Sequence, residues 1–397
     1  MNDQMQNGMA AATRLTQQGR LDEATAAIQR ALGGTFVPAA RKDSSDKDEP
    51  IEVISRLVRK TPQGPAGGRR KADRRPGSAT PGPTLLDRGV QPLPGMKAAR
   101  PVSASVPEGG RFLERSYTNG AGTRSYKLYI PGGYTGQEVP LIIMLHGCTQ
   151  NPDDFAAGTR MNRLAEEHTF LVAYPAQAGN ANIQRCWNWF QAADQQRGRG
   201  EPSLIAGITN QVVDEYEVDA SRVYVAGMSA GGAMAAIMGA TYPDLYVAVG
   251  VHSGLAPGSA HDMPSAFTAM RQGGPVVAPQ DVPGREDREV LPTIIFHGDG
   301  DTTVHPRNGD RLLAHLAGVG DGSSPRVRTR QGQVPGGYAY TRFTYQDAEG
   351  RDLVERWSVH GLGHAWSGGS YPGSYTDPRG PDASAEMVRF FEQHQRR

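Results

Sequence analysis

A chain of 397 residues is long enough for one large domain with segments to spare. Hydrophobic residues make up 38% of it, low for a compact globule, so part of the chain is expected to stay outside the core. The formal net charge of +1 argues against an acidic or nucleic-acid partner, and two cysteines, Cys148 and Cys186, are too few for a disulfide framework or for a zinc site built on CxxC pairs.

The amino terminus, MNDQMQNGMAAATRLTQQGR, is polar throughout. It lacks the apolar run of roughly 7–15 residues that a signal peptide needs, and no later stretch approaches the roughly 18 apolar residues of a membrane-spanning helix. A cytoplasmic protein with no membrane span is the expectation, with an extracellular location as the alternative. Residues 1–34 read as a helical hairpin, with Ala11, Leu15, Leu21, Ala24, Ile28 and Leu32 near helical spacing and Gly19 at a turn. The pattern resembles one tetratricopeptide unit. A lone unit cannot bury its own face, so packing on the main domain or on a partner is expected.

Residues 35–108, rich in Pro, Gly, Arg, Lys, Asp and Ser, read as a flexible linker. PIEVISRLVRK forms at most a short helix within it. The cluster Arg69, Arg70, Lys71, Arg74 and Arg75 has no interleaved aromatics to stack on bases, which favours a solvated linker over nucleic-acid binding.

From residue 109 to 397 the texture changes to that of a folded domain. RSYKLYIPGGY is an early strand and turn, and PLIIMLHG is an apolar strand opening into a loop. MNRLAEEHTF is helical, LVAYP a strand, LIAGITNQVVDEYEV a long helix. RVYVAGMSAGGAMAAIMGATYP reads strand, sharp turn, helix. VAVGVHSG, PTIIFHGDGD and ERWSVHG are further strands, and SAEMVRFFEQH is the last helix. The Gly/Pro-rich excursion from Ser259 to Glu289 is either a cap or a surface loop. Strands alternating with helices predict an α/β fold with a doubly wound, mainly parallel sheet, whose strands all end on one edge.

The candidate chemistry falls on that edge. Gly227-Met228-Ser229-Ala230-Gly231 is a G-x-S-x-G pentapeptide between a strand and a small-residue helix, the setting of a nucleophile elbow. A serine hydroxyl needs a base and an orienting carboxylate, in the chain order Ser, acid, His for this fold. Asp301, after the PTIIF strand, is the expected acid, with Asp299 as the alternative. His364, in a glycine-flanked loop after ERWSVH, is the expected base, with His360 as the alternative. The oxyanion needs two amides. That of Ala230 follows the nucleophile, and that of Cys148 lies in the loop after PLIIML. The Cys148 side chain is then free to pair with Cys186, as a disulfide or, in a reducing compartment, as two thiols. Trp187, Trp189 and Trp366, with Phe190, lie near these loops in sequence and either wall the cleft or pack in the core. No cofactor is called for. Asp299, Asp301, His297 and His305 lack the spacing of a metal motif.

LHGCTQNPDDFA, CWNWF, GMSAGGAM, HGDGDTTVHP and GLGHAWSGG, in this order, resemble the poly(3-hydroxybutyrate) depolymerase-like esterases, relatives of feruloyl and acetylxylan esterases. The resemblance covers about residues 110–395. It implies an α/β-hydrolase fold, Ser229, Asp301 and His364 as a triad, and the Cys148 and Ala230 amides at the oxyanion hole. It also implies short acyl or hydroxyacyl esters or polyesters as substrates. Feruloyl or acetylated xylan esters are the alternative, and an acyltransferase or a granule-binding protein are readings of another class.

Overall fold

A computed structural model describes residues 104, 106–277, 291–317, 326–347 and 349–396. The hairpin expected over residues 1–34 and nearly all of the linker expected over 35–108 lie outside the described residues.

Ten strands form one sheet: β1 (Arg111–Asn119), β2 (Gly122–Ile130), β3 (Val139–Leu145), β4 (Leu171–Pro175), β5 (Val218–Met228), β6 (Ala248–His252), β7 (Thr293–Gly298), β8 (Arg326–Gln333), β9 (Ala339–Gln346) and β10 (Asp352–Val359). Their spatial order is β1-β2-β4-β3-β5-β6-β7-β10-β9-β8. The six central strands, β4 to β10 in that order, are mutually parallel. Antiparallel pairs flank them on both sides.

Period-two alternation in the central strands sends side chains to two separate cores. Leu141, Ile143, Leu145, Val223 and Val225 pack on one face, while Ile142, Met144, Tyr224, Ala226 and Met228 pack on the other. Both faces are therefore apolar, and the strand sequences read as continuous hydrophobic runs, as buried parallel strands do. Helices α1 (Pro152–Thr159) and α2 (Met161–His168) cover the second face through Phe155, Met161 and Leu164. Helices α3 (Gly200–Glu215) and α4 (Ala230–Thr241) cover the first through Ile205, Ile208, Met234 and Ile237. Helices α5 (Met263–Gln272) and α6 (Arg307–Ala317) join the first layer by Ala269 and Leu312, and α7 (Ala383–Glu392) joins the second by Met387 and Phe391. Each such buried Leu, Ile or Phe contributes about 1.5–3 kcal/mol relative to exposure. The arrangement is that of an α/β-hydrolase, doubly wound and mainly parallel as the alternation of elements requires.

The sequence reading lacks three strands of this sheet. β8 is exposed at nearly every position, and its RVRTRQGQ has no apolar run to mark it. β9 and β1 carry the same mixed, half-exposed pattern. Each pairs at or next to a sheet edge, where little burial is demanded of the side chains. Among the described residues no helix is long and apolar enough to cross a membrane.

Candidate active site

Because the central strands are parallel, β3, β5, β6, β7 and β10 all end on one edge, and the site is assembled from the loops that leave them. β5 stops at Met228, and α4 begins at Ala230. Between them Ser229 adopts φ 57° and ψ −119°. Such a conformation in a non-glycine residue costs of order 1–3 kcal/mol and persists only where the surroundings impose it. They do so here. The Ser229 amide donates to the His252 carbonyl at 2.9 Å, and its carbonyl accepts from Ala233 at 2.9 Å. A Cβ on Gly231 would lie 2.0 Å from the Leu145 carbonyl oxygen, and one on Gly227 would lie 2.3 Å from the Gly231 carbonyl oxygen. Only glycine at both positions lets the strand turn straight into the helix. The Ser229 side chain makes no capping bond to α4, so its hydroxyl is left for the cleft.

Asp301 lies in the turn after β7, buried to 3% exposure. Its Oδ1 accepts the Thr303 and Val304 amides, both at 2.9 Å, and its Oδ2 accepts from His364 Nδ1 at 2.7 Å. Burial alone would push this carboxyl up. The hydrogen bond and charge of His364, the charge of His297 and the Val304 amide outweigh burial and hold it below its ordinary value. With its proton on Nδ1, His364 keeps an unprotonated Nε2. The loops that carry Asp301 and His364 touch closely: a Cβ on Gly298 would lie 2.1 Å from the Leu362 carbonyl oxygen, which also accepts the Gly300 amide at 3.1 Å.

The two alternative residues pair with each other. His360 Nδ1 lies 2.8 Å from Asp299 Oδ2, and His360 Nε2 lies 2.9 Å from the Thr341 hydroxyl. Both side chains are nearly half exposed, and neither lines the cleft that holds Ser229. Asp299 also accepts the Gly361 amide at 2.6 Å, so this pair fastens the start of the loop that carries His364 to the turn after β7.

The third wall is the loop after β3. A Cβ on Gly147 would lie 3.5 Å from Ser229 Cβ, so the loop runs directly beside Ser229. The Gly147 amide donates to Gln150 Oε1 at 2.9 Å and the Thr149 amide to the Gln184 carbonyl at 2.6 Å. The Cys148 amide between them takes no acceptor among the described residues, and the Ala230 amide opens α4, where no intrahelical acceptor exists. Behind the loop, Gln150 Nε2 donates to Asp154 at 2.8 Å, and Asp154 also accepts the Ser374 amide at 2.9 Å. Tyr375 follows, its hydroxyl 3.2 Å from that of Thr149 and its ring edge-on to His364.

Cys148 and Cys186 are joined as a disulfide. The bridge spans 38 residues of sequence, and closing a loop of that length is worth about 3–4 kcal/mol in the chain-entropy account. We expect Cys148→Ser with Cys186→Ser to lower the urea-unfolding free energy by about that amount; an unchanged midpoint would contradict a bridged native state.

His146 shows how burial fixes a tautomer. It is fully buried, and the Gln177 amide donates to its Nε2 at 3.1 Å, so its proton sits on Nδ1 and donates to the Gly147 carbonyl at 2.8 Å. Desolvation pushes its pKa down to about 4. In the unfolded chain the ring titrates near 6.5. Between those values the unfolded chain takes up a proton that the folded one refuses. The stability from this group is therefore whole above pH 6.5 and falls as pH drops towards 4, at ~1.4 kcal/mol per pH unit. His146→Gln should flatten the pH dependence of unfolding free energy by that slope between pH 6.5 and 4.5. Equal slopes in the two proteins would refute a neutral buried ring.

Ser229, His364, Gly147, Cys148, Thr303 and Tyr375 line one open cleft of ≈ 300 Å³. Of the two readings of the tryptophans, the structure has packing and not a cleft wall. Trp187, Trp189 and Trp366 are exposed by only 0%, 5% and 1%, and none lines the cleft. Trp187 donates its indole N–H to the His146 carbonyl, Trp366 donates to the Ser384 hydroxyl, and Trp189 packs edge-on against Phe190. They brace the loops from behind. Their large apolar rings gain more from burial than from a solvated rim. The excursion after Ser259 contributes α5, which docks on residues 305–308 through the Met270 and Ala269 carbonyls and places no residue in the cleft. Residues 278–289 of it lie outside the described residues. No three His, Cys, Asp or Glu side chains gather as a metal cage among the described residues. Sequence reasoning missed Tyr375, which sits in a Gly/Ser/Pro-rich stretch with no periodic signal. It also missed Gln150 and Asp154, although both stand in the CTQNPDDF motif.

A strained serine, an imidazole held by a buried carboxylate and two amides at one cleft form a set able to deprotonate an alcohol and receive an oxyanion. Residues 124–330, just over half of the chain, match the model of the Esterase PHB depolymerase family. The chain belongs to this family. Among its relatives is poly(3-hydroxyalkanoate) depolymerase C of Paucimonas lemoignei, 33% identical over 254 residues, 62% of this chain and 59% of that protein. Feruloyl esterase B of Neurospora crassa is 32% identical over 238 residues, 56% of this chain and 77% of that one. The chain thus spans less than two thirds of the depolymerase's length. A solved acetyl xylan esterase from Aspergillus awamori shares the fold, with a TM-score of 0.55 at 22% identity, covering 72% of this chain and 99% of its own.

Proposed function

We propose that the protein is a serine esterase that cleaves carboxylic esters through an acyl-enzyme on Ser229. The observation that carries this reading is the 2.7 Å contact between His364 Nδ1 and buried Asp301, in a histidine that shares one cleft with a strained, uncapped serine. Ser229 Oγ attacks the ester carbonyl and its proton passes to His364 Nε2. Asp301 stabilises the imidazolium and fixes the tautomer. The Cys148 and Ala230 amides receive the oxyanion, and His364 then protonates the departing alkoxide. Water, deprotonated by His364, attacks the acyl-serine; the bond to Ser229 Oγ breaks as His364 returns that proton to it, and the carboxylic acid leaves.

For the acyl group we propose a short hydroxyacyl chain, free or as the end of a polyester. The cleft is open, and Gly147, Cys148, Ser229 and Thr303 leave room in it beside Gln150, Met228, His364 and the ring of Tyr375. Among the described residues the buried tryptophans leave no broad aromatic platform of the kind a feruloyl group would stack on. Kinetics with p-nitrophenyl butyrate, methyl ferulate, acetylated xylan and amorphous polyhydroxybutyrate test this. Butyrate and hydroxybutyrate esters should give the higher kcat/KM. A preference for ferulate would overturn the acyl assignment, and product partitioning to added alcohol in place of water would make the protein an acyltransferase. The helical pattern of residues 1–34 supports a contact with a protein or polymer granule. Granule co-sedimentation that is unchanged in a chain lacking those residues would dismiss it.

A further inference from the structure

Among the buried titratable groups, one histidine touches both halves of the proposed catalytic apparatus and is used by neither. His252 is the last residue of β6, fully buried, between β5 and β7 in the sheet. Its carbonyl oxygen accepts the Ser229 amide at 2.9 Å, one of the bonds that hold the serine at positive φ. Its ring Nε2 accepts the Ser367 amide at 3.0 Å, three residues beyond His364. The ring is stacked on Trp366, with centroids 4.9 Å apart, and on Phe296, at 5.8 Å.

The tautomer follows from the donors. The Ser367 N–H can only donate, so Nε2 carries no proton. The ring proton is on Nδ1, 3.2 Å from the Ser253 hydroxyl. The ring must stay neutral to keep that acceptor. Desolvation, helped by the nearby His297 and His364, pushes its pKa down to about 3 against the opposing charge of Asp301. The Ser367 amide is in a fully buried residue and would be left unpaired if Nε2 were removed, an outcome a folded protein avoids by moving the segment.

We infer that His252 is a positioning residue that locks the loop carrying His364 to the strand edge carrying Ser229, through its Nε2 acceptor rather than through its bulk. The inference rests on the reading of Ser229 and His364 as nucleophile and base. It assigns the registration of those two groups to one side chain that contacts neither reacting atom. A displacement of the base by about 1 Å is enough to cost about 100-fold in rate with little change in ground-state binding.

The test separates the acceptor from the ring. His252→Phe keeps an aromatic ring between Trp366 and Phe296 but removes the acceptor. His252→Gln loses the ring but places a carboxamide oxygen near Nε2. With p-nitrophenyl butyrate, H252F should lower kcat by about 30–100-fold at unchanged KM, and H252Q should stay within about fivefold of wild type, each measured at 15 °C below its own thermal midpoint. A purely structural role would make the loss follow the midpoint and would leave H252Q as poor as H252F. H252F with wild-type kcat, or H252Q as slow as H252F, overturns the inference. If H252F does not fold, H252Q alone decides: a folded H252Q with kcat down more than about tenfold overturns it, and near-wild-type kcat supports it. Wild-type protein that turns over no ester would instead refute the esterase reading, which keeps the two failures apart.

Discussion

Ser229→Ala is expected to lower kcat/KM for p-nitrophenyl butyrate by about 10⁵–10⁶-fold, the scale seen when the nucleophile of a cooperating triad is removed. The thermal midpoint should stay or rise. The serine's positive φ is imposed by its neighbours and not by its hydroxyl, which makes no capping bond. Alanine meets the same backbone strain, so no new cost is introduced. A loss of less than about tenfold would mean that the attacking group lies elsewhere.

The second large effect separates two aspartates two residues apart. Asp301→Asn should cost about 10⁴-fold in kcat, because an amide in that place holds His364 in the wrong tautomer while leaving the geometry nearly intact. Asp299→Asn should stay within about fivefold, because its partner His360 is exposed, exposed pairs are worth at most about 1 kcal/mol, and asparagine still accepts the Gly361 amide. Comparable losses in both variants would contradict the division of labour drawn here. So would a larger loss in D299N.

These two aspartates also mark the limit of what the sequence can disclose. Asp299 and Asp301 both follow the same strand, and His360 and His364 both follow another. Spacing favours one of each without deciding the pairing. The deciding fact is that the turn after β7 folds inward at Asp301, where two amides and His364 meet its carboxylate, while Asp299 points to the surface and His360. The central strands were legible because burial on both faces demands continuous apolar runs, and the nucleophile elbow because its glycines face backbone atoms at distances no Cβ survives. The tryptophans misled for the converse reason. Nearness in sequence to catalytic loops does not distinguish a ring that walls a cleft from one that props the loop from behind. Tyr375, which does line the cleft, arrives through an irregular segment whose path is set by Asp154 and Ser374, contacts across more than 200 residues of sequence. Edge strands such as β8 escape because pairing at a rim asks almost nothing of side chains.

The most direct test of the central claim is to treat the native protein with a fluorophosphonate and locate the adduct by peptide mass spectrometry. The account predicts one stoichiometric adduct, on Ser229, with ester hydrolysis lost in proportion to labelling and no adduct in Ser229→Ala. An adduct on any other residue, or full hydrolytic activity in protein that resists labelling, would contradict it.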